Sequence, residues 1–126
     1  MKILLTLFVL FFSFPSWAEW IYFQTNDSGY EFYYDNETLK KNKEHIFFWS
    51  LVDYGEKDEF GDMSSVMYTQ LDCTIFRFKW LDTKFYDQPM GKGNKNADFE
   101  NDEWQYPLPE SVGNNLMKHV CDNYNK

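Results

Sequence analysis

Hydrophobic and polar positions along this chain repeat with two different periods, and the changes between them locate most of its elements. Ile3 to Phe12 form an apolar block broken only by Thr6. Trp20 to Thr25 then reads as a strand, Asn26-Asp27-Ser28-Gly29 as a turn, and Tyr30 to Tyr34 as the returning strand of a β-hairpin. Asp35 to Thr38 marks a second turn, with room for one helical turn through Leu39, and Lys40 to Glu44 reads as a polar link. The strongest strand pattern runs from His45 to Tyr54. Ile46, Phe48, Val52 and Tyr54 share one face; Phe47, Trp49 and Leu51 share the other. Apolar residues on both faces predict a central strand, or an outer face covered by another element.

A charged loop follows from Gly55 to Asp62. Ser64 to Cys73 and Thr74 to Tyr86 read as two more strands, the second long enough to bend or divide near Asp82. From Asp87 to Tyr106 the periodicity is lost, and Gly91, Gly93 and several Asn and Asp residues predict a long irregular connection. Ser111 then caps a helix whose stripe is Val112, Leu116, Val120 and Tyr124, with Cys121 beside it. The predicted architecture is α+β: an antiparallel sheet of five to six strands with a C-terminal helix packed on one face.

The N-terminal block changes where this domain is placed. Lys2 supplies a positive start, Pro15 ends the apolar run, and Ser16-Trp17-Ala18 sets small residues at the −3 and −1 positions before Glu19. A spanning helix needs roughly 20 apolar residues. Residues 1–18 therefore read as a cleavable signal peptide cut between Ala18 and Glu19, leaving one domain over residues 19–126 with no membrane span. No cysteine lies near the cleavage bond, so a lipid anchor has no attachment point there. Without Lys2 the mature chain keeps 11 basic residues against 20 acidic ones, a balance of −9. That charge, with Arg77 as the sole arginine, excludes a phosphate-reading nucleic-acid surface. Aromatic residues make up 21% of the chain, which favours sheet and supplies core area to a small domain.

Export also bears on Cys73 and Cys121, the only two cysteines. A disulfide is the default in an oxidising compartment, against two free thiols or an intermolecular bridge. Two thiolates alone fall short of the four ligands zinc takes. Site chemistry is otherwise sparse. His45 reads as lying at a strand edge and His119 on the polar side of the helix, and neither has the serine and carboxylate context of a triad. The acids from Asp98 to Glu103 lack the spacing and central glycine of a calcium loop. Gly91-Lys92-Gly93 is too short for a phosphate loop. Catalytic, metal and cofactor residues are accordingly predicted as none.

Several features in order resemble the bacterial surface-adhesin protein E family. They are Trp20, Tyr33-Tyr34-Asp35, Trp49-Ser50-Leu51-Val52-Asp53-Tyr54, Ser64-Ser65 and Leu71-Asp72-Cys73, then Tyr86 and Pro89-Met90-Gly91-Lys92-Gly93. Trp104, Pro107, Pro109, Ser111-Val112-Gly113, Leu116 and Lys118 through Cys121 complete the series. The resemblance implies an antiparallel sheet, a C-terminal helix, a Cys73–Cys121 bridge, and a role as an adhesin for host extracellular-matrix proteins. The expected function is an exported, non-enzymatic binding protein of the bacterial periplasm or cell surface with a protein partner. Its contact surface is the 87–106 segment, through Met90, Lys92, Phe99 and Trp104. The alternatives are a periplasmic carrier of a small ligand such as haem, and a periplasmic inhibitor of a partner enzyme.

Overall fold

The computed structural model describes residues 19–125. The expected signal segment, residues 1–18, with the Ala18 side of its expected cleavage bond, lies outside the described residues. The described residues fold into one antiparallel sheet of seven strands: β1 (Ile21–Thr25), β2 (Glu31–Tyr34), β3 (Lys40–Asn42), β4 (His45–Asp53), β5 (Ser64–Asp72), β6 (Arg77–Tyr86) and β7 (Lys95–Glu100). The order is β1-β2-β4-β5-β6-β7, with β3 also on β4. β2 pairs with residues 50–53 of β4 and β3 with residues 45–47, so the two short strands lie end to end along one edge of β4. One helix, α1 (Val112–Tyr124), completes the domain. No described helix is long and apolar enough to cross a membrane.

The α+β architecture and C-terminal helix agree with the sequence reading, but the strand count exceeds five to six. The two additions are β3, expected as a polar link, and β7, expected within an irregular connection. Both are edge strands with almost every residue exposed. Their pairing comes from backbone hydrogen bonds with β4 and β6, so no apolar alternation marks them in the sequence. The turn before β3 holds no helix. The buried Asp35 carboxylate instead accepts the Glu37 N–H and the Thr38 hydroxyl, closing it as an Asx turn.

The core lies between the sheet and α1. Tyr34, Ile46, Phe48, Leu71 and Phe78 from the strands meet Leu116, Met117 and Val120 from the helix. Fully burying each aliphatic or aromatic side chain contributes about 1.5–3 kcal/mol. The helix starts at Ser111, whose hydroxyl accepts the Asn114 N–H at 3.0 Å, and the disulfide joins Cys121 to Cys73 just beyond β5, Cα–Cα 5.8 Å. β6 carries a bulge at Leu81, where Tyr68 opposes Asp82 but Thr69 opposes Trp80. This is the bend expected near Asp82, and it re-aims the strand at the sheet edge.

Candidate functional site

β4 is buried on its helix side and, toward its C-terminal end, also on the face away from α1. Leu51 and Val66 are buried there beneath a 3-10 turn, Pro89–Gly91. A Cβ on Gly91 meets Val66 Cγ2 at 3.0 Å and Leu51 Cδ1 at 3.3 Å, so the turn backbone lies directly on the sheet. Ser64 Oγ ties it down by donating to the Gln88 carbonyl (2.7 Å) and accepting the Gly91 N–H (2.8 Å). Met90 reaches this position with left-handed backbone, φ 59°. Gly93, at φ +82°, has Asp87 Oδ1 and Gln88 Cγ each 2.3 Å from where a Cβ stands. Gly93→Ala is therefore expected to cost about 1–2 kcal/mol in backbone strain alone. Chemical denaturation checks this, and a cost near zero counts against the close approach.

At the other end of the same face Trp104 lies over two cations. Arg77 Cζ stands 4.1 Å and Lys79 Nζ 4.6 Å from its ring centroid, and His45 meets it edge-on at 5.3 Å. The edge segment is held by the Gln105–Phe78 backbone pair, 2.7 and 2.8 Å. Between Trp104 and the Met90 turn runs a half-buried aromatic row. Trp49 packs on Tyr68 at 4.8 Å, Phe47 on Tyr68 at 6.2 Å, and Lys84 Nζ stands 5.9 Å over Trp49. The charges beside the row are paired: Lys84 with Asp82 and Asp98, Lys95 with Asp98, and Lys79 with Asp102. Lys95, ahead of the other contacts, holds the Asp98 carboxyl down to about 2. The surface offers flat rings framed by fixed charges, an arrangement suited to a macromolecular partner.

The four contact residues expected from sequence do not converge. Met90 and Trp104 stand at opposite ends of this face, and Lys92 is exposed just past the turn. Phe99 opposes Thr83 and packs on Phe85 at 6.0 Å, on the helix side of the sheet. Strand alternation within β7 sends it there, which an irregular loop could not have predicted. Phe47, Trp49 and Tyr68 are surface residues that the sequence does not single out. For Phe47 and Trp49 the only signal was the second apolar face of β4, equally consistent with a covering element; Tyr68, on β5, carried none.

His119 is also placed differently from its expected polar side. It packs against Phe23 and Tyr34 (5.3 and 5.6 Å) and its Nε2 is 3.2 Å from the Tyr34 hydroxyl. The position three residues after Leu116 faces the sheet, and the cluster of Tyr34 and Tyr124 gives the imidazole polar partners there. Burial, then Tyr124, push the Tyr34 hydroxyl up to about 12. His45 is hydrogen-bonded to Gln70 through Nδ1 at 2.8 Å, with Nε2 3.8 Å from Asp72. His119 Nδ1 meets Asn123 at 3.2 Å. All four ring nitrogens thus face a polar neighbour, so ligating an iron breaks one of these contacts. Among the described residues no group of three or more His, Cys, Asp or Glu side chains is placed to hold a metal.

The family model described as surface-adhesin protein E matches residues 20–122. Among solved structures, crystal form II of Haemophilus influenzae protein E is similar at 20% identity and TM-score 0.66, covering 89% of this chain and 94% of that one. Protein E from non-typeable Haemophilus influenzae is similar at 20% identity and TM-score 0.63, over 87% and 81%. At these identities the likeness shows the fold. No curated protein is detectably similar in sequence.

Proposed function

The chain belongs to the surface-adhesin protein E family, and from that premise we propose that it is an exported, non-enzymatic binding module of the bacterial envelope. On this reading residues 1–18 are removed and residues 19–126 act as one domain. The partner is a protein, and the class implied by an adhesin is a host extracellular-matrix protein.

One observation supports the reading above the others. An uncovered antiparallel face is ordinarily polar, whereas this one carries Phe47, Trp49 and Tyr68 in a half-buried row ending at Trp104. Rings are the side chains that dominate recognition energetics, and held rings lose little entropy on binding. The row also lies beside the 89–104 segment, which exposes Lys92.

The test is binding of the mature domain to immobilised matrix proteins, with Trp49→Ala and Trp104→Ala as variants. Each truncation is expected to weaken binding by tenfold or more, as hot-spot aromatics do at about 1.4 kcal/mol per decade. Folding is checked by melting, since Trp104 also packs on Arg77. Binding unchanged in both variants sinks the assignment of this face. Surface labelling of intact cells separates an adhesin from a periplasmic inhibitor, because an exclusively periplasmic signal removes the adhesin role.

A further inference from the structure

On the opposite side of the sheet α1 covers only part of the apolar surface. Two adjoining cavities of about 640 and 180 Å³ run beneath its first turn. Phe32, Trp80, Gly113 and Met117 line both. The rim leaves large apolar side chains in solvent: Trp80 is 37% exposed, Tyr106 65% and Leu108 74%. Isolated exposed apolar residues are ordinary, but three beside a cavity form a contiguous recognition surface.

We propose that this groove receives an extended polypeptide segment carrying an aliphatic or aromatic side chain next to a lysine or arginine. The smaller cavity is lined almost wholly by apolar groups and is of a size for one such side chain. The larger one adds the side-chain amides of Gln24, Gln105 and Asn114, which can bond a peptide backbone and have nothing to offer a plain hydrocarbon. Charge selects the flanking residue. Asp27 and Glu110 are the charged residues of the lining and both are acidic. Both are exposed and, like most acids of this chain, carry no ion pair among the described residues, so both are open to an incoming cation. A cation carried by the segment matches the sign of this rim, in a molecule whose formal charge is −8.

Gly113 keeps the groove open. A Cβ there meets only Ser111 Oγ, at 3.9 Å, so nothing in the fold requires glycine at this helical position. Alanine would raise helix propensity by up to about 1 kcal/mol. A larger side chain can therefore obstruct the groove without entering the core.

The experiment uses the mature domain and two labelled nonapeptides, Gly-Ser-Lys-Leu-Lys-Phe-Lys-Ser-Gly and the same sequence with each lysine replaced by glutamate. Fluorescence anisotropy reads affinity, and the indole N–H resonance of Trp80, assigned with Trp80→Phe, reads location. The lysine peptide is expected to bind and shift Trp80. The glutamate peptide should bind at least about tenfold more weakly. Gly113→Leu should abolish binding without lowering the melting temperature, and Asp27→Asn with Glu110→Gln should weaken it several-fold. If Gly113→Leu does not fold, Leu108→Ala and Tyr106→Ala, both on the exposed rim, replace it. No binding, equal binding of the two peptides, full binding by the blocked or trimmed variants, or shifts at Trp49 and Trp104 without Trp80 each overturn the proposal. The last outcome would move the peptide to the aromatic face, and the matrix-protein test of that face stands whichever result is found.

Discussion

Replacing Cys73 and Cys121 together with alanine is expected to lower the stability of the domain by about 4 kcal/mol on the chain-entropy account of disulfides. The bond closes a loop with a sequence separation of 48, so its removal returns that freedom mainly to the unfolded chain. Against a typical total of about 5–15 kcal/mol the loss is large. It corresponds to a fall in melting temperature on the order of 15–30 °C for a domain near 100 residues. The folded state also depends on the bond locally. Cys121 shares α1 with Leu116, Met117 and Val120, whose burial closes the core, and few other covalent or polar ties join that helix to the sheet. The Tyr34 hydroxyl bonds to His119 and Tyr124, at 3.2 and 3.3 Å, are the principal ones. Melting the oxidised protein, the reduced protein and the double variant in parallel tests this. The reduced protein and the variant should agree, and a loss under about 1 kcal/mol would mean that the unfolded chain is already held compact.

Elements with a clear apolar period were legible in the sequence. β4 shows this most directly: Ile46, Phe48 and Val52 point toward the helix side, as the period of two requires. Ser111 announced the helix, and the single cysteine pair announced its docking. β3 and β7 were not legible, because Lys40-Lys41-Asn42 and Lys95 to Glu100 bury almost nothing. Their positions follow from pairing with neighbours, a non-local cause that a sequence window does not contain. The site was less legible than the fold for a related reason. Phe47, Trp49 and Tyr68 were visible as apolar residues, but their exposure depends on where the Met90 turn and Trp104 come to rest. Those two segments cover the ends of the face and leave its middle open. His119 shows the same limit, since its place against Phe23 and Tyr34 follows from the partners across the helix–sheet interface.

Asp72→Ala is the other change expected to have a large effect, about 2–3 kcal/mol by the cost of breaking a buried, charge-assisted set of hydrogen bonds. The residue is 4% exposed at the end of β5. One carboxylate oxygen accepts the N–H groups of Thr74 and Ile75, at 3.0 and 3.3 Å, and the other accepts Arg77 Nε at 3.1 Å. It thereby closes the turn after Cys73 and holds the guanidinium that lies over Trp104. Burial pushes the carboxyl up, but Arg77, the Ile75 and Thr74 N–H groups and His45 together outweigh it and leave it below the ordinary range. The sign follows from a depressed value in the folded state. The contribution is complete above the unfolded carboxyl value of about 3.9, and is lost as pH falls through the lower folded value. Stability of the native protein should therefore drop through that acid window. Asp72→Ala should lie below it at neutral pH and converge on it in acid. Asp72→Asn separates the two jobs: its side-chain oxygen can still accept from Thr74 and Ile75, so it should lose the Arg77 pairing while retaining the turn. Denaturant titrations from neutral to acid pH read all three proteins. Parallel curves for native and alanine proteins would mean that the Asp72 charge contributes nothing. An asparagine variant as unstable as alanine would place the whole effect on Arg77, and so on the support beneath Trp104.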